Sequence, residues 1–270
     1  KIFYMLKIAV LIACHNRKEK TIKCLESLFK QKNIKNIRIK VFLVDDGSID
    51  GTKQAVKKLL KNVIVIKGNG NLFWGKGMAL AWEKCLETKE KFNYYLWLND
   101  DTQLFPDAIK NLLMCKNIVS SDEFISVGST CDRNLQHRTY GGSINLKKKI
   151  RVFKNKIIHP NKKFRVIDRF NGNIVLISHK TFIKVGKFDK SLTHYFGDID
   201  YSIRAAKRNI PIFLAPNYLG ICDEDKKIKN INNLFSNKEI IKTGWIFCKK
   251  HGKEFWILHF LSLILSFFRK

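Results

Sequence analysis

Acidic residues are scarce in this chain. Asp and Glu number 23 against 51 Lys and Arg, a formal net charge of +28 over 270 residues. Proline is rare, at 4, and so is methionine, at 3. No apolar run reaches the roughly 20 residues that a membrane-spanning helix needs. The 7 cysteines (Cys14, Cys24, Cys85, Cys115, Cys131, Cys222 and Cys248) include no C-x-x-C pair. An odd number without metal-type spacing argues against both a zinc site and a disulfide framework, and fits a reducing cytoplasm. No two histidines stand four residues apart, as they would on a metal-binding helix. There is no internal repeat and no Gly/Ser linker. The stretch Lys1–Lys7 is too short for a secretory signal, and Met5 is the expected natural start.

What is present is ordinary for a globular protein: 45% hydrophobic and 27% charged residues, enough to bury a sizeable core. Three sources could explain the positive excess. They are attraction to anionic partners such as nucleotide diphosphates or lipid head groups, nucleic-acid binding, and a compositional bias that also enriches Ile and Asn. The lysines are scattered (Lys18, Lys20, Lys23, Lys30, Lys32, Lys35), so bias accounts for most of them, with some excess left to help at a membrane.

The first half alternates strands and helices. Strands are expected at Lys7–Cys14, Ile37–Val44, Asn62–Lys67 and Tyr94–Leu98. Helices are expected at Arg17–Phe29, Thr52–Leu60 and Ala79–Leu86, with another starting at Pro106. A glycine-bearing loop, Gly68–Gly77, precedes the third helix. This rhythm predicts an α/β fold with a doubly wound, mostly parallel sheet. The second half is less regular. It has strands at Phe124–Cys131, Phe170–Ser178 and Ile210–Leu214, the last with Pro211 as at a sheet edge. Helices follow at His179–Val185, Gly197–Arg208 and Asn237–Lys250. Lys147–Lys163 and Asp223–Asn233 read as loops. Residues 1–220 form the expected catalytic domain and 221–270 a helical tail.

Ligands of an open α/β sheet sit at the carboxyl ends of its strands, and the acidic clusters fall there. Asp45-Asp46 ends the second strand and Asp100-Asp101 the fourth. Carboxylates held side by side are costly unless a cation lies between them. Helix capping and a plain Asp46-Gly47-Ser48 turn are the competing explanations, and two clusters on one sheet weigh against them.

The runs Val10-Leu-Ile-Ala-Cys-His-Asn-Arg17, Val44-Asp-Asp-Gly-Ser-Ile-Asp-Gly-Thr52, Leu98-Asn-Asp-Asp-Thr102 and Tyr195-Phe-Gly-Asp-Ile-Asp-Tyr201 occur in that order. Together they resemble the family-2 glycosyltransferases with the GT-A fold, over roughly residues 7 to 215. The resemblance implies that Ala13, Asn16 and Arg17 border a nucleotide. It implies that Asp45, beside Asp46, accepts a hydrogen bond from the N–H of uracil or thymine. Asp101 would ligate Mn2+ or Mg2+, hard cations that take oxygen ligands, and Asp100 would support the ribose or the metal. Asn99 stands where the family's D-x-D pattern begins with Asp, which removes a charge and weakens metal binding without nucleotide. Asp198 is the expected general base and Asp200 its rival, because Gly197 replaces the Glu that usually precedes the base. Both also suit the N-terminus of a helix, where carboxylates favour the dipole.

The loop Asn71-Leu-Phe-Trp-Gly-Lys-Gly77 resembles the N-x-x-W-G-x-G loop of a rhamnosyltransferase-like subgroup. There Gly75 and Gly77 would bring backbone N–H groups to the donor, Lys76 would meet a phosphate, and Trp74 would stack on sugar or base. Trp74 reads equally well as a core aromatic. His194 and Tyr195 are candidates for the acceptor side. Arg138, Tyr140 and Gly141-Gly142 form an acceptor-side hairpin or a plain turn. The apolar tail Phe255–Phe268 suits an interfacial membrane helix, a dimer contact or a buried packing helix.

The leading expectation is thus an inverting, metal-dependent glycosyltransferase. It would move a sugar from a UDP- or dTDP-sugar to a glycan or lipid-linked acceptor in surface polysaccharide or lipopolysaccharide synthesis. Its place would be the cytoplasm, peripherally at the membrane. The alternatives are a sugar nucleotidyltransferase, an inactive transferase-like subunit, and a basic nucleic-acid-binding protein. The last lacks a lysine stripe with interleaved aromatics, so no nucleic-acid partner is expected.

Overall fold

The computed structural model describes residues 5–59, 62–145, 155–193, 195–223, 238–252 and 256–268. Expectations for 147–154, for 224–233 and for His194 lie outside the described residues.

The chain runs β1 (Leu6–Cys14), α1 (Lys18–Phe29), β2 (Ile37–Asp45), α2 (Thr52–Leu59), β3 (Val63–Lys67), α3 (Phe73–Glu87) and β4 (Tyr94–Leu98). Next come β5 (Gln103–Leu104), α4 (Ala108–Leu113), β6 (Ile125–Cys131), β7 (Gly142–Asn145), β8 (Asn155–Ile158), β9 (Arg165–Val166) and β10 (Arg169–Phe170). The remainder is β11 (Ile174–Ser178), α5 (His179–Val185), α6 (Gly197–Ala206), β12 (Ile212–Ile221), α7 (Lys238–His251) and α8 (Trp256–Phe268).

The main sheet has the order β3-β2-β1-β4-β11-β6-β12-β5, with β9 also on β12. Its first four strands are parallel. β11 runs antiparallel between β4 and β6, and β6 and β12 are again parallel. A second sheet, β10-β7-β8, lies beside it.

Both faces of the sheet are covered because β1 is apolar at every central position. Successive side chains point to opposite faces. Ile8, Val10, Ile12 and Cys14 pack with Leu25 and Leu28 of α1 and Ile109 and Leu112 of α4. Ala9, Leu11 and Ala13 pack with Met78, Trp82 and Cys85 of α3 and with an aromatic group that includes Tyr95, Trp97, Phe182 and Tyr201. The small residues Ala9 and Ala13 let α3 approach. All seven cysteines are free, buried thiols.

Three expectations need correction. α3 starts at Phe73, so Trp74, Gly75 and Lys76 stand in its first turn and not in a loop. The Phe170–Ser178 strand breaks at 171–173 into β10 and β11. β12 is interior, with Pro211 just ahead of it. Pro211 needs no ladder donor there, because it contributes only its carbonyl, which accepts the Ile125 N–H at 3.1 Å.

The C-terminal helices are not detached. α7 buries Phe247 and Cys248 against Leu192 and against Ile203 of α6. α8 joins the same cluster through Phe260 and packs Trp256 and Phe260 on Trp245 of α7. It leaves Ile257, Leu258 and Leu261 about half exposed. Among the described residues no helix is long and apolar enough to cross a membrane.

Candidate active site

The carboxyl ends of β1, β2 and β4 face a cavity of about 580 Å3. From the expected site residues it brings together Ala13, Arg17, Asp46, Trp74, Asn99, Asp100, Asp101, Tyr195 and Asp198. Asn16, Asp45, Gly75, Lys76 and Asp200 are not among its walls.

β1 and β2 end in register, Cys14 beside Asp45. Asp45 does not reach the cavity because its Oδ1 accepts the Ser48 N–H at 3.0 Å and closes the turn. Asp46 turns inward instead. Its Oδ1 accepts the Gly70 N–H at 2.8 Å, and its Oδ2 accepts those of Leu72 and Phe73 at 2.8 and 3.0 Å. A carboxylate from β2 thus fixes the 69–73 loop and caps the N-terminus of α3, where its charge meets the positive end of the helix. Asn16 ties the first two strand ends together: its Oδ1 accepts the Ile49 N–H at 2.8 Å.

Trp74 is both a cavity wall and a packing residue. It lines the cavity, and it also meets Trp97 and Phe188 edge to face. Its Nε1 donates to Asn99 Oδ1 at 2.8 Å. The Asn99 that departs from D-x-D therefore has a defined partner. Gly75 has a role other than donor contact. Its N–H donates to the Thr193 carbonyl, and any Cβ there would run into the carbonyl oxygens of Leu192 and Thr193. Small size at this position lets the 192–193 segment cross the start of α3.

Past β4, Asp100 and Asp101 lie side by side. Arg17 Nη1 donates to Asp100 Oδ1 at 3.3 Å and to Asp101 Oδ2 at 2.9 Å. Asp101 Oδ1 also accepts from the Cys222 thiol at 3.3 Å. Burial, and secondly the Asp101 charge, push the Asp100 carboxyl up to about 7. Among the described residues no group of three or more His, Cys, Asp or Glu side chains could cage a metal. The donor set nonetheless fits a hard divalent ion, which is often held by one or two carboxylates with the rest of its shell from phosphates and water.

Opposite stands α6. Asp198 lines the cavity and accepts N–H bonds from Gly172 at 3.0 Å and Ile199 at 2.8 Å. Burial raises its carboxyl to about 6, against the opposing pull of those two bonds. Both oxygens retain a lone pair for a further donor. Asp200 is in another situation. It is fully buried on the far side of α6, with Arg204 Nε at 2.8 Å, Lys250 Nζ at 2.7 Å and His251 Nε2 at 2.8 Å. Burial would raise its carboxyl, but the hydrogen bonds from His251, Lys250 and Arg204 and the Arg204 charge together hold it well below the usual range. A carboxylate so engaged is a structural anion, and of the two aspartates only Asp198 lines the cavity. Gly197, where the family usually has Glu, abuts the Phe188 ring and leaves no room for a side chain.

Sequence reasoning missed several walls: Phe73, the Asn171–Asn173 break, Phe196 and Ile199. One available signal was polar and glycine residues (Asn171-Gly172-Asn173) inside an otherwise apolar strand pattern. Phe73 and Phe196 adopt positive φ of 54° and 67°, which sequence does not announce.

A mixed sheet with helices on both faces and a nucleotide-sized cavity at its carboxyl edge is the architecture of GT-A glycosyltransferases. The chain belongs to the family described as Glycosyl transferase family 2, whose profile matches residues 9–180. Solved structures with the same fold include a mannosyltransferase, PcManGT from Pyrobaculum calidifontis, in complex with GDP-Man and Mn2+. It is 14% identical, with a TM-score of 0.60 over 97% of this chain and 70% of that one. S. aureus TarS 1-349 is 14% identical, with a TM-score of 0.59 over 90% and 64%. GalNAc-T7 with UDP, GalNAc and Mn2+ is 13% identical, with a TM-score of 0.60 over 91% and 50%. The chain therefore spans between half and 70% of these relatives. No curated protein matches it.

Proposed function

We propose that the protein is an inverting glycosyltransferase that takes a UDP- or dTDP-sugar and delivers the sugar to a hydroxyl of a glycan or lipid-linked saccharide, in surface polysaccharide synthesis. The observation that carries this reading is one cavity with Asp198 on one wall and the Asp100–Asp101 pair on another. Its volume falls within the roughly 300–1,000 Å3 of small-molecule sites. Asp101, with Asp100 behind it, would hold Mn2+ or Mg2+, whose charge would make the diphosphate a better leaving group. Asp198 takes the proton of the acceptor hydroxyl as that oxygen forms its bond to the anomeric carbon and the bond to the diphosphate breaks. A carboxyl poised at about 6 is ionised at neutral pH and close enough to it to be an effective base. A single base and a direct displacement invert the anomeric centre. Trp74 and Tyr195 supply ring faces to the sugars, and the half-exposed side of α8 rests on a lipid surface that presents the acceptor.

The test is calorimetric titration of UDP, dTDP, GDP and CDP, each with and without Mn2+, into the wild type and Asp101→Ala. Metal-dependent binding of UDP or dTDP, lost in the variant, is the expected result. Preference for GDP would correct the donor. No nucleotide binding under any condition would move the protein to the inactive-subunit reading.

A further inference from the structure

Arg17 is an unusual neighbour for a pair of metal-binding carboxylates. One of its nitrogens, Nη1, reaches both Asp100 and Asp101. The carboxylate side chains are only 7% and 17% exposed, whereas Arg17 is 39% exposed at the cavity wall. Two carboxylates in so little water need a cation, and among the described residues the guanidinium of Arg17 is in direct contact with both. A divalent ion at the same oxygens would face that positive charge at close range. With the guanidinium in place the pair carries one net negative charge, too little to hold a divalent ion firmly.

A diphosphate changes the balance. It adds two or more negative charges and offers the guanidinium a planar fork-to-fork partner, the geometry in which Arg binds phosphates well. We propose that Arg17 is the built-in counter-ion of the Asp100–Asp101 pair, and that it makes divalent-cation binding conditional on a nucleotide diphosphate that draws the guanidinium away. This inference rests on the transferase reading of the same cavity. It assigns Arg17 two alternating partners and makes nucleotide and metal binding mutually reinforcing, since coupling between two ligands is reciprocal.

The experiment follows free Mn2+ by its electron paramagnetic resonance signal during titration of the full chain, without nucleotide and with saturating UDP, dTDP or GDP. It uses the wild type, Arg17→Gln and Arg17→Lys, each checked for folding by circular dichroism. The wild type should bind Mn2+ weakly alone and about tenfold or more tightly with its nucleotide. Arg17→Gln should bind Mn2+ about tenfold more tightly than the wild type without nucleotide, and gain less when nucleotide is added. Arg17→Lys, which keeps the charge, should stay near the wild type. Equal Mn2+ affinity of the wild type and Arg17→Gln without nucleotide would overturn the inference while leaving the transferase reading intact. Tight Mn2+ binding by the wild type alone would overturn it too, even if Arg17→Gln failed to fold. Absence of Mn2+ binding in every protein with every nucleotide would remove the metal site, and the inference with it.

Discussion

Asp198 and Asp200 stand two residues apart on one helix and live in opposite surroundings. Two steps of an α-helix turn a side chain through about 200°, so one aspartate looks into the cavity and the other into the seam with α7. On the cavity side burial dominates, and the carboxyl rises to about 6. On the far side Arg204, Lys250 and His251 converge, and the carboxyl falls well below its ordinary range. The same residue type thus faces the cavity from one side of the helix and anchors it on the other. α7 supports the site without lining the cavity, because Lys250 and His251 hold the helix that carries Asp198. The two faces should respond differently to substitution and to pH.

The sharpest separation is expected from Asp198→Asn. Loss of a general base costs about 10^2 to 10^4-fold in rate, so transfer should nearly vanish while nucleotide binding persists. Stability at pH 7 should hold or rise slightly. A carboxyl raised from its unfolded value weakens folding as pH climbs from about 4 toward 6, and the amide removes that effect. In the wild type the rate should fall on acidification with a midpoint near pH 6, because the base must be ionised. A pH-rate profile with no acid limb between 5 and 7 would count against Asp198.

Asp200→Ala should do the reverse. Removing one partner of a buried ion cluster costs about 3–5 kcal/mol. At roughly 2–4 °C per kcal/mol for a chain near this size, Tm should fall by roughly 10 °C. The sign with pH follows from the depressed carboxyl. Its contribution is complete above about pH 4, the unfolded value, and fades only as the pH drops further toward the folded one. The Tm difference between wild type and variant should therefore be the same at pH 7 and pH 5. A variant with unchanged Tm and abolished transfer would exchange the roles of the two aspartates. Lys250→Met tests the same seam from α7. Lys250 is partly exposed and Arg204 and His251 remain, so a loss of about 1 kcal/mol is expected.

A comparably small effect belongs to Trp74→Phe. Part of the packing against Trp97 and Phe188 survives, and the bond to Asn99 is lost. Urea denaturation should show a loss of about 1 kcal/mol, with nucleotide binding retained.

The parallel half of the sheet was legible because each strand there is a short, largely apolar run that ends in polar or glycine residues. β1 and β2 start and stop within a residue of where their patterns do. The start of α3 was not legible. Its N-terminal groups are satisfied by Asp46, some 26 positions upstream, so no local cap marked it. The break at 171–173 was hidden for a related reason: one strand pattern covers two sheets.

By itself, the sequence determined the fold class, the acidic clusters at the strand ends and the family, because periodicity and short motifs are local properties of the chain. Only the tertiary structure decided which of Asp198 and Asp200 faces the cavity, which of Asp45 and Asp46 does, and that Arg17 bonds to both Asp100 and Asp101. Each of these depends on groups many residues away, brought within 3–4 Å of one another by packing. Charge, desolvation and hydrogen bonding act over that range in space, whatever the separation along the chain.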